Sequence, residues 1–314
     1  MNTNFAANNL KCYYRHQMKR HYSFLIAGTL IASLASCSGG SDQENNSTEN
    51  DTVNQEQSMG FGFEDLSQTS YGVPSPNELF SIIKSSNLPY KEGIVSTEGV
   101  NYTSSMTQAL NFGRTTADIA YTASYEKFQE SMMNFDNLRK IGNDLGISYV
   151  FDELMVNRVK SNMDNPDSLE IISTSSYQAI ISMLEENEKG STLAIISAGG
   201  FVESIYILCH LIEGHESDEI FQKLADQKLV MENVIALLDM YSDEERVQQV
   251  LNELRPVSEV YLNLDEEKIS AEVTHKGDKN ILGGSRVIMS KEEFAKLKEA
   301  ASNYRNSFSN AVQG

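Results

Sequence analysis

The stretch that decides the fold is LAIISAGGFVESIYILCHLI, Leu193–Ile212. Its length and apolar composition would let it cross a bilayer as a helix, since about 20 apolar residues suffice. Glu203 stands near its middle, however, where an ionisable side chain is costly in lipid. The adjacent pair Gly199-Gly200 permits another helix to approach closely. We therefore expect this stretch to form the central helix of a globular core rather than a membrane span.

Amphipathic segments precede this central helix. The first begins at a capping box with proline at the first helical position, Ser75-Pro76-Asn77-Glu78, a combination typical of helix starts. Gly146 is placed to end another helix, because glycine is common just past a helix C-terminus. Apolar residues at helical spacing predict helices over residues 102–125, 126–145, 148–162, 165–190 and 191–213.

Helical spacing continues beyond the central helix. It predicts one helix over residues 217–240 and two more after the capping boxes Ser242–Glu245 and Ser290–Glu293. Pro256 falls inside the helix that starts at the first of these boxes, and proline in a helix interior is expected to kink or break it.

The helical period is interrupted near residues 271–289. Within that stretch, Val273–Val287 with the central triplet Lys276-Gly277-Asp278 favours a small hairpin or an ordered loop. We found no fixed-period repeat elsewhere. The sequence therefore predicts an all-α domain of about eight helices packed as antiparallel hairpins, with one short hairpin or ordered loop near 271–289.

Upstream of the domain, the apolar run Phe24–Ser36 follows a basic segment, Met18-Lys19-Arg20-His21, and ends at a cysteine. This order is typical of a secretory signal. Leu34-Ala35-Ser36-Cys37 resembles the lipobox of bacterial lipoproteins, which implies diacylation of the Cys37 thiol, cleavage after Ser36 and acylation of the new amino group. Buried acyl chains contribute about 0.8 kcal/mol per methylene, so such an anchor would be permanent. The alternative is an ordinary signal followed by a chance cysteine.

The sequence thus divides into three parts. Residues 1–36 form the signal region, with translation expected to start at Met18; residues 37–70 carry the lipidated cysteine and an acidic, disordered tether; residues 71–314 form a single helical domain. Ser38–Gln57 has a single aliphatic residue and cannot bury enough apolar surface to become ordered. Its early acidic residues resemble the surface-export signal of Bacteroidota lipoproteins, with a plain solvated linker as the alternative. We expect the protein on the outer membrane, at its periplasmic face or at the cell surface.

The charge balance limits the possible partners. Residues 1–36 hold four basic and no acidic residues, so the mature chain keeps 21 basic and 44 acidic side chains, a net charge of −23. Nucleic acid and anionic lipid surfaces repel such a chain, so we expect no nucleic-acid partner and no membrane contact besides the lipid at Cys37. Cys209 is the only other cysteine after the signal, and a lone cysteine in an apolar helix is usually a small buried hydrophobe.

The central helix carries one stripe of titratable side chains. Glu203, Tyr206, His210 and Glu213 follow one another at intervals of three, four and three residues, which places them on one helical face. If the stripe faces a cavity, its carboxylates and imidazole are candidates for proton transfer or metal binding. The alternative is a solvent edge or a satisfied polar seam. We expect no cofactor or metal, because His210 and His215 are five residues apart rather than the four that align two imidazoles.

Three segments of the chain resemble an all-helical family of Bacteroidota lipoproteins. They are Pro74–Tyr90, Ala109–Ile147 and Ala194–Ile207. The most specific element is Ala198-Gly199-Gly200-Phe201-Val202-Glu203, in which Phe201 replaces the family's usual tryptophan. Arg114 stands where the family has an aliphatic or aromatic residue. The resemblance implies a helical fold and an envelope location, and it implies no reaction.

Two functional hypotheses remain at this point. The first is a non-enzymatic lipoprotein, anchored at Cys37, whose helical domain is an interaction or structural module for another envelope protein or a surface polymer. The second is a small-molecule-binding or hydrolytic domain that uses the polar stripe at 203–213. The position of the stripe, in a closed pocket or on an open face, distinguishes them.

Overall fold

The computed structural model of the chain describes residues 76–151, 153–162, 165–268, 274–276, 279–281 and 285–309. The predicted signal region, the lipobox, the tether and Ser75 lie outside the described residues, so these assignments stay predictions.

The described residues form an all-α fold, as the sequence predicts. The α-helices are α1 (Pro76–Ser86), α2 (Ser105–Ser124), α3 (Phe128–Asp144), α4 (Glu153–Ser161), α5 (Pro166–Glu186), α6 (Gly190–Ile212), α7 (Asp218–Ala225), α8 (Lys228–Asp239), α9 (Glu245–Leu262) and α10 (Lys291–Ser309). A short 3₁₀ helix covers Ser148–Val150, and the strands are β1 (Glu266–Lys268), β2 (Thr274–Lys276), β3 (Lys279–Ile281) and β4 (Ser285–Val287).

Helix α6 is the centre of the domain. It is long and apolar enough to cross a membrane, but 78% of its most apolar 18-residue stretch is buried inside the domain. Helix α2 packs against it along most of its length, α10 covers both, and α3 packs on α2. The α2–α6 contact depends on small residues: a Cβ on Gly199 would overlap the carbonyl oxygen of Leu110, and one on Gly113 would overlap that of Ile196. The expected close approach at Gly199-Gly200 is therefore present.

Two predicted helices are divided in the structure. The segment over 217–240 is two helices, α7 and α8, separated at Asp226-Gln227. Both residues keep right-handed helical dihedrals. The helical spacing of the apolar residues therefore stays the same on both sides of the break, and the sequence does not reveal it. Gln227 is buried there and donates to Glu78 of α1 at 3.0 Å. The helix predicted over 148–162 is also wrong as one element, because Phe151 has non-helical dihedrals (φ −111°, ψ 72°) between the 3₁₀ turn and α4.

Helix α9 differs from its prediction at two points. It begins at Glu245 without a side-chain cap, and the Ser242 hydroxyl donates to the Asp239 carbonyl at 2.8 Å instead, so the first capping box is wrong. The helix also continues through Pro256 rather than breaking there. Pro256 lies on the exposed face of the helix, where water can satisfy the carbonyl that a proline nitrogen leaves without a donor.

The C-terminal elements follow the sequence closely. Strands β2 and β3 pair antiparallel with Lys276 opposite Lys279, which confirms the hairpin near 271–289, and β1 pairs with β4. The second capping box is also confirmed. The Ser290 backbone N–H donates to the Glu293 carboxylate at 2.7 Å, and the Glu293 N–H donates to the Ser290 hydroxyl at 3.2 Å. Helix α10 therefore begins at Lys291, directly after the Ser290 cap.

Candidate functional site

The polar stripe of α6 faces α10. Glu203 has no exposed surface, Tyr206 and His210 are half-buried, and Glu213 at the end of the helix is exposed. Burial therefore decreases steadily from Glu203 to Glu213. The four side chains do share one face, as their spacing predicts; α10 covers that face at Glu203 and Tyr206, whereas Glu213 stays exposed.

Glu203 belongs to a largely buried cluster of four ionisable side chains from three helices. Arg305 of α10 donates from Nε to Glu203 Oε2 at 3.1 Å, and its guanidinium stacks 4.6 Å from the centre of the Tyr206 ring. From α2, Arg114 donates from Nη1 to Asp118 Oδ2 at 3.0 Å. Asp118 has no exposed surface, and Arg114 is 6% exposed. Of these four side chains, only Glu203 was predicted from the sequence as a candidate site residue.

A neutral side chain orients the cluster. Asn111 accepts from Arg114 Nε at 2.9 Å and donates from Nδ2 to the Phe308 carbonyl at 2.7 Å. It thus ties α2 to the last turn of α10 while it fixes the plane of the guanidinium. Because a buried charge is stable only when it is paired and hydrogen-bonded, these bonds are what allow Arg114 to lie inside the core.

The cluster contains two carboxyl groups, those of Asp118 and Glu203, and neither has any exposed surface. Asp118 Oδ1 and Glu203 Oε1 are both buried and have no hydrogen-bond partner in the described part of the chain. Burial and the neighbouring Glu203 raise the pKa of Asp118 well above its usual range, against the effect of Arg114. A raised pKa means that Asp118 takes up a proton at a higher pH than an exposed aspartate does, and the protonated carboxyl can act as a hydrogen-bond donor.

The outer end of the stripe is a surface ion pair. Glu213 accepts from Lys298 Nζ at 2.6 Å and from Lys91 Nζ at 3.3 Å, and these bonds lower the pKa of its carboxyl. Burial, together with the two lysines, lowers the pKa of His210 despite its hydrogen bond with the Tyr206 carbonyl. The imidazole is therefore neutral at pH 7 and donates from Nδ1 to that carbonyl at 2.8 Å.

The residues of the cluster that were not predicted as site residues nevertheless leave a recognisable pattern in the sequence. Asn111, Arg114 and Asp118 are separated by three and four residues within a mostly apolar helix, the same pattern that reveals the stripe on α6. Arg305 stands between Tyr304 and Phe308 on the apolar side of the last helix. A polar residue within a buried stripe requires a partner, so these residues are recognisable as a group, but their pairing requires the helix arrangement.

A separate cavity lies between α2, α3, α4, α5 and α6. Its volume is about 150 Å³, and most of its lining is apolar. None of the four stripe residues lines it. Cys209, the lone thiol of α6, is not part of the lining either; it is fully buried, and burial raises its pKa to about 12. The thiol is thus a packed core group at neutral pH.

No group of three or more His, Cys, Asp or Glu side chains that could hold a metal ion occurs among the described residues. No protein-family profile, no curated protein and no solved structure matches the chain.

Proposed function

We propose that this chain is a lipid-anchored outer-membrane protein of the bacterial cell envelope, whose helical domain acts as a non-enzymatic interaction or structural module. The sequence supports the anchor through the lipobox at Cys37. The geometry supports the module through one observation: Glu203 is fully buried and paired with Arg305 at 3.1 Å. The inner part of the face that holds the candidate acid and base groups is therefore closed between α6 and α10 at Glu203, and only its outer end reaches solvent.

The hydrolytic alternative has less support. A general acid or base must come within hydrogen-bond reach of a substrate, and Asp118 and Glu203 have no exposed surface. Glu213 is accessible, but its carboxylate already accepts from Lys298 and Lys91. The seam instead holds α2, α6 and α10 together, which is the role that buried hydrogen-bonded networks have in a rigid scaffold.

The anchor is tested by removing the thiol. Cys37→Ser eliminates the acylation site, so the variant is expected in the soluble envelope fraction, whereas the parent chain stays with the membranes after a high-salt wash. A variant that still fractionates with membranes after that wash would refute the lipobox assignment.

The interaction role is tested by photo-crosslinking in intact cells. Ile171 on α5 and Leu229 on α8 are large apolar side chains exposed to 66% and 65%, so a photo-reactive residue at either position leaves the core unchanged. We expect a discrete heavier adduct with one envelope protein or surface polymer, reduced when Cys37→Ser removes the anchor. Adducts that contain only this chain at both positions, under conditions that crosslink other envelope lipoproteins, would count against the module.

A further inference from the structure

Helix α8 is apolar on nearly every side, although it lies at the surface of the domain. Eight of its twelve residues are apolar (KLVMENVIALLD, Lys228–Asp239), a composition that normally belongs to a helix surrounded by protein. Only Met231, Val234 and Leu238 are buried, and the helix packs against α6 and α9. The helix therefore carries more apolar surface than the described part of the domain covers.

The uncovered apolar residues line up along α8. Leu229 and Met240 are 65% and 55% exposed, and Ala236 between them is half-buried. Met240 follows the helix with helical dihedrals. Intervals of seven and four residues correspond to about two turns and one turn, so the three side chains lie above one another. Single exposed apolar residues are ordinary on a protein surface, but an aligned set is not; we call Leu229, Ala236 and Met240 the outward stripe.

Carboxylates border the outward stripe. Glu232 and Asp239 follow Leu229 by three and ten residues, which places both about 60–80° to the same side of it. Neither has an ion-pair partner in the described part of the chain. Lys228 is the only basic residue of α8, and its ammonium group is already paired with Glu266 at 3.9 Å. Exposed carboxylates also stand beyond each end of the helix, at Asp226 and Asp243.

This charge limits what can cover the stripe. A second copy of the chain would bring the same carboxylates against one another, and an anionic lipid surface would repel them. A partner helix with its own apolar stripe can pack along α8, as amphipathic helices do in apolar recognition surfaces. If lysine or arginine borders that stripe, its charge is complementary to Glu232 and Asp239.

We propose that the outward stripe of α8 is the docking surface for a basic amphipathic helix of an envelope protein. The inference rests on the interaction role proposed above and assigns that role to one face of the domain. The partner helix lies along α8, with its apolar side on the outward stripe and its basic side towards Glu232 and Asp239.

The first test uses the full chain carrying Cys37→Ser and two designed helical peptides of about 18 residues, five turns of helix. Both peptides have the same leucine stripe, which is bordered by lysines in one and by glutamates in the other. Fluorescence anisotropy of the labelled peptides should show saturable one-to-one binding of the lysine peptide and at least tenfold weaker binding of the glutamate peptide. Added salt should weaken the binding of the lysine peptide, because it screens exposed charges.

Polar substitutions on the stripe test the apolar contact. The double variant Leu229→Asn, Met240→Gln should bind the lysine peptide at least tenfold more weakly, while its melting temperature stays near that of the parent because both side chains are exposed. Ile171→Asn is the matched control, since Ile171 on α5 is exposed to a similar extent, 66%, and should leave the affinity unchanged. Equal binding by the stripe variant and by Ile171→Asn would overturn the proposal.

Charge reversal tests the acidic border. Glu232→Lys with Asp239→Lys should reverse the preference, so that the glutamate peptide binds more tightly than the lysine peptide. Glu292→Lys with Glu299→Lys changes the net charge by the same amount at exposed positions of α10 and should keep the preference of the parent. A reversal in both double variants, or in neither, would refute the role assigned to the two carboxylates of α8.

Photo-crosslinking in intact cells separates this inference from the interaction role itself. We expect a discrete adduct with an envelope protein from a photo-reactive residue at Leu229 or Met240, and its loss when Glu232→Lys and Asp239→Lys are added. An adduct at Ile171 with none at Leu229 or Met240 would overturn the docking surface and leave the interaction role standing, whereas no adduct at any of the three would overturn both. Binding of the purified chain to lipid vesicles, or self-association, that is lost in the stripe variant would also overturn the proposal, since a lipid surface or a second copy would then cover the stripe.

Discussion

Replacing Gly199 by alanine should destabilise the domain, although alanine is the better helix former. Glycine inside a helix costs about 1 kcal/mol relative to alanine, so propensity alone favours the variant. The added methyl, however, would overlap the Leu110 carbonyl oxygen. That oxygen belongs to a helix backbone and cannot rotate away, so α2 and α6 must move apart. Overpacking costs about 1–3 kcal/mol, and a backbone clash falls at the upper end of that range.

The net loss is therefore about 2 kcal/mol, which corresponds to a fall of about 4–8 °C in melting temperature for a domain of this size. Gly200→Ala is the matched control, because a Cβ there would lie 3.3 Å from the Gly113 carbonyl oxygen and needs only a small adjustment. Thermal melts and urea titrations of the full chain, followed by circular dichroism, should place Gly200→Ala at or slightly above the parent and Gly199→Ala below it.

The reciprocal position gives a second check. A Cβ on Gly113 would overlap the Ile196 carbonyl oxygen, so Gly113→Ala should also destabilise the domain. The double variant with Gly199→Ala should lose less stability than the sum of the losses of the two single variants, because one separation of the helices relieves both clashes. If Gly199→Ala melts at or above the parent temperature, the α2–α6 contact described here is incorrect.

Two further predictions concern the buried cluster. Arg305→Met removes the partner of a buried carboxylate and should cost about 3–5 kcal/mol by urea denaturation; Glu203→Gln in the same chain should recover a large part of that loss, and a double variant no more stable than Arg305→Met alone would contradict the pairing. Asp118 has a raised pKa, so its contribution to stability is present in full below the unfolded pKa of about 3.9 and is lost as the pH rises through the folded pKa. Asp118→Asn does not titrate, so its stability relative to the parent should increase with pH above about 4; a difference that does not change with pH would rule out the raised pKa of Asp118.

The sequence is most informative where a local rule acts alone. The helix starts at Asn165 and Ser290 are correct because the Asn165 side chain accepts from the Ser168 N–H and Ser290 forms a reciprocal capping box. The break at Asp226-Gln227 and the continuity through Pro256 are missed, because both depend on which face of the helix is buried. Periodicity reports that a face is apolar and does not report the neighbour that covers it.

The candidate site shows the same limit more sharply. The stripe on α6 is visible as a pattern, but its role depends on Arg305, which is 102 residues away from Glu203 in the sequence. Without that partner, a buried glutamate suggests a reactive group with a perturbed proton affinity. With it, the same glutamate is a structural acceptor. Sequence spacing therefore locates titratable groups on one helix, and only the packing of α10 decides whether they face a substrate or a neighbour.

The glycine contact and the ionic cluster both fix the axial position of α2 relative to α6. The overlap that a Cβ would meet at Gly113 and Gly199 requires those backbones to face each other at one axial position. Sliding α2 by one turn, about 5.4 Å, would remove that fit and would also carry Arg114 and Asp118 away from Glu203 and Arg305, whose charges act on them across the helix contact. An unsatisfied buried charge costs several kcal/mol, so the alternative register is disfavoured twice.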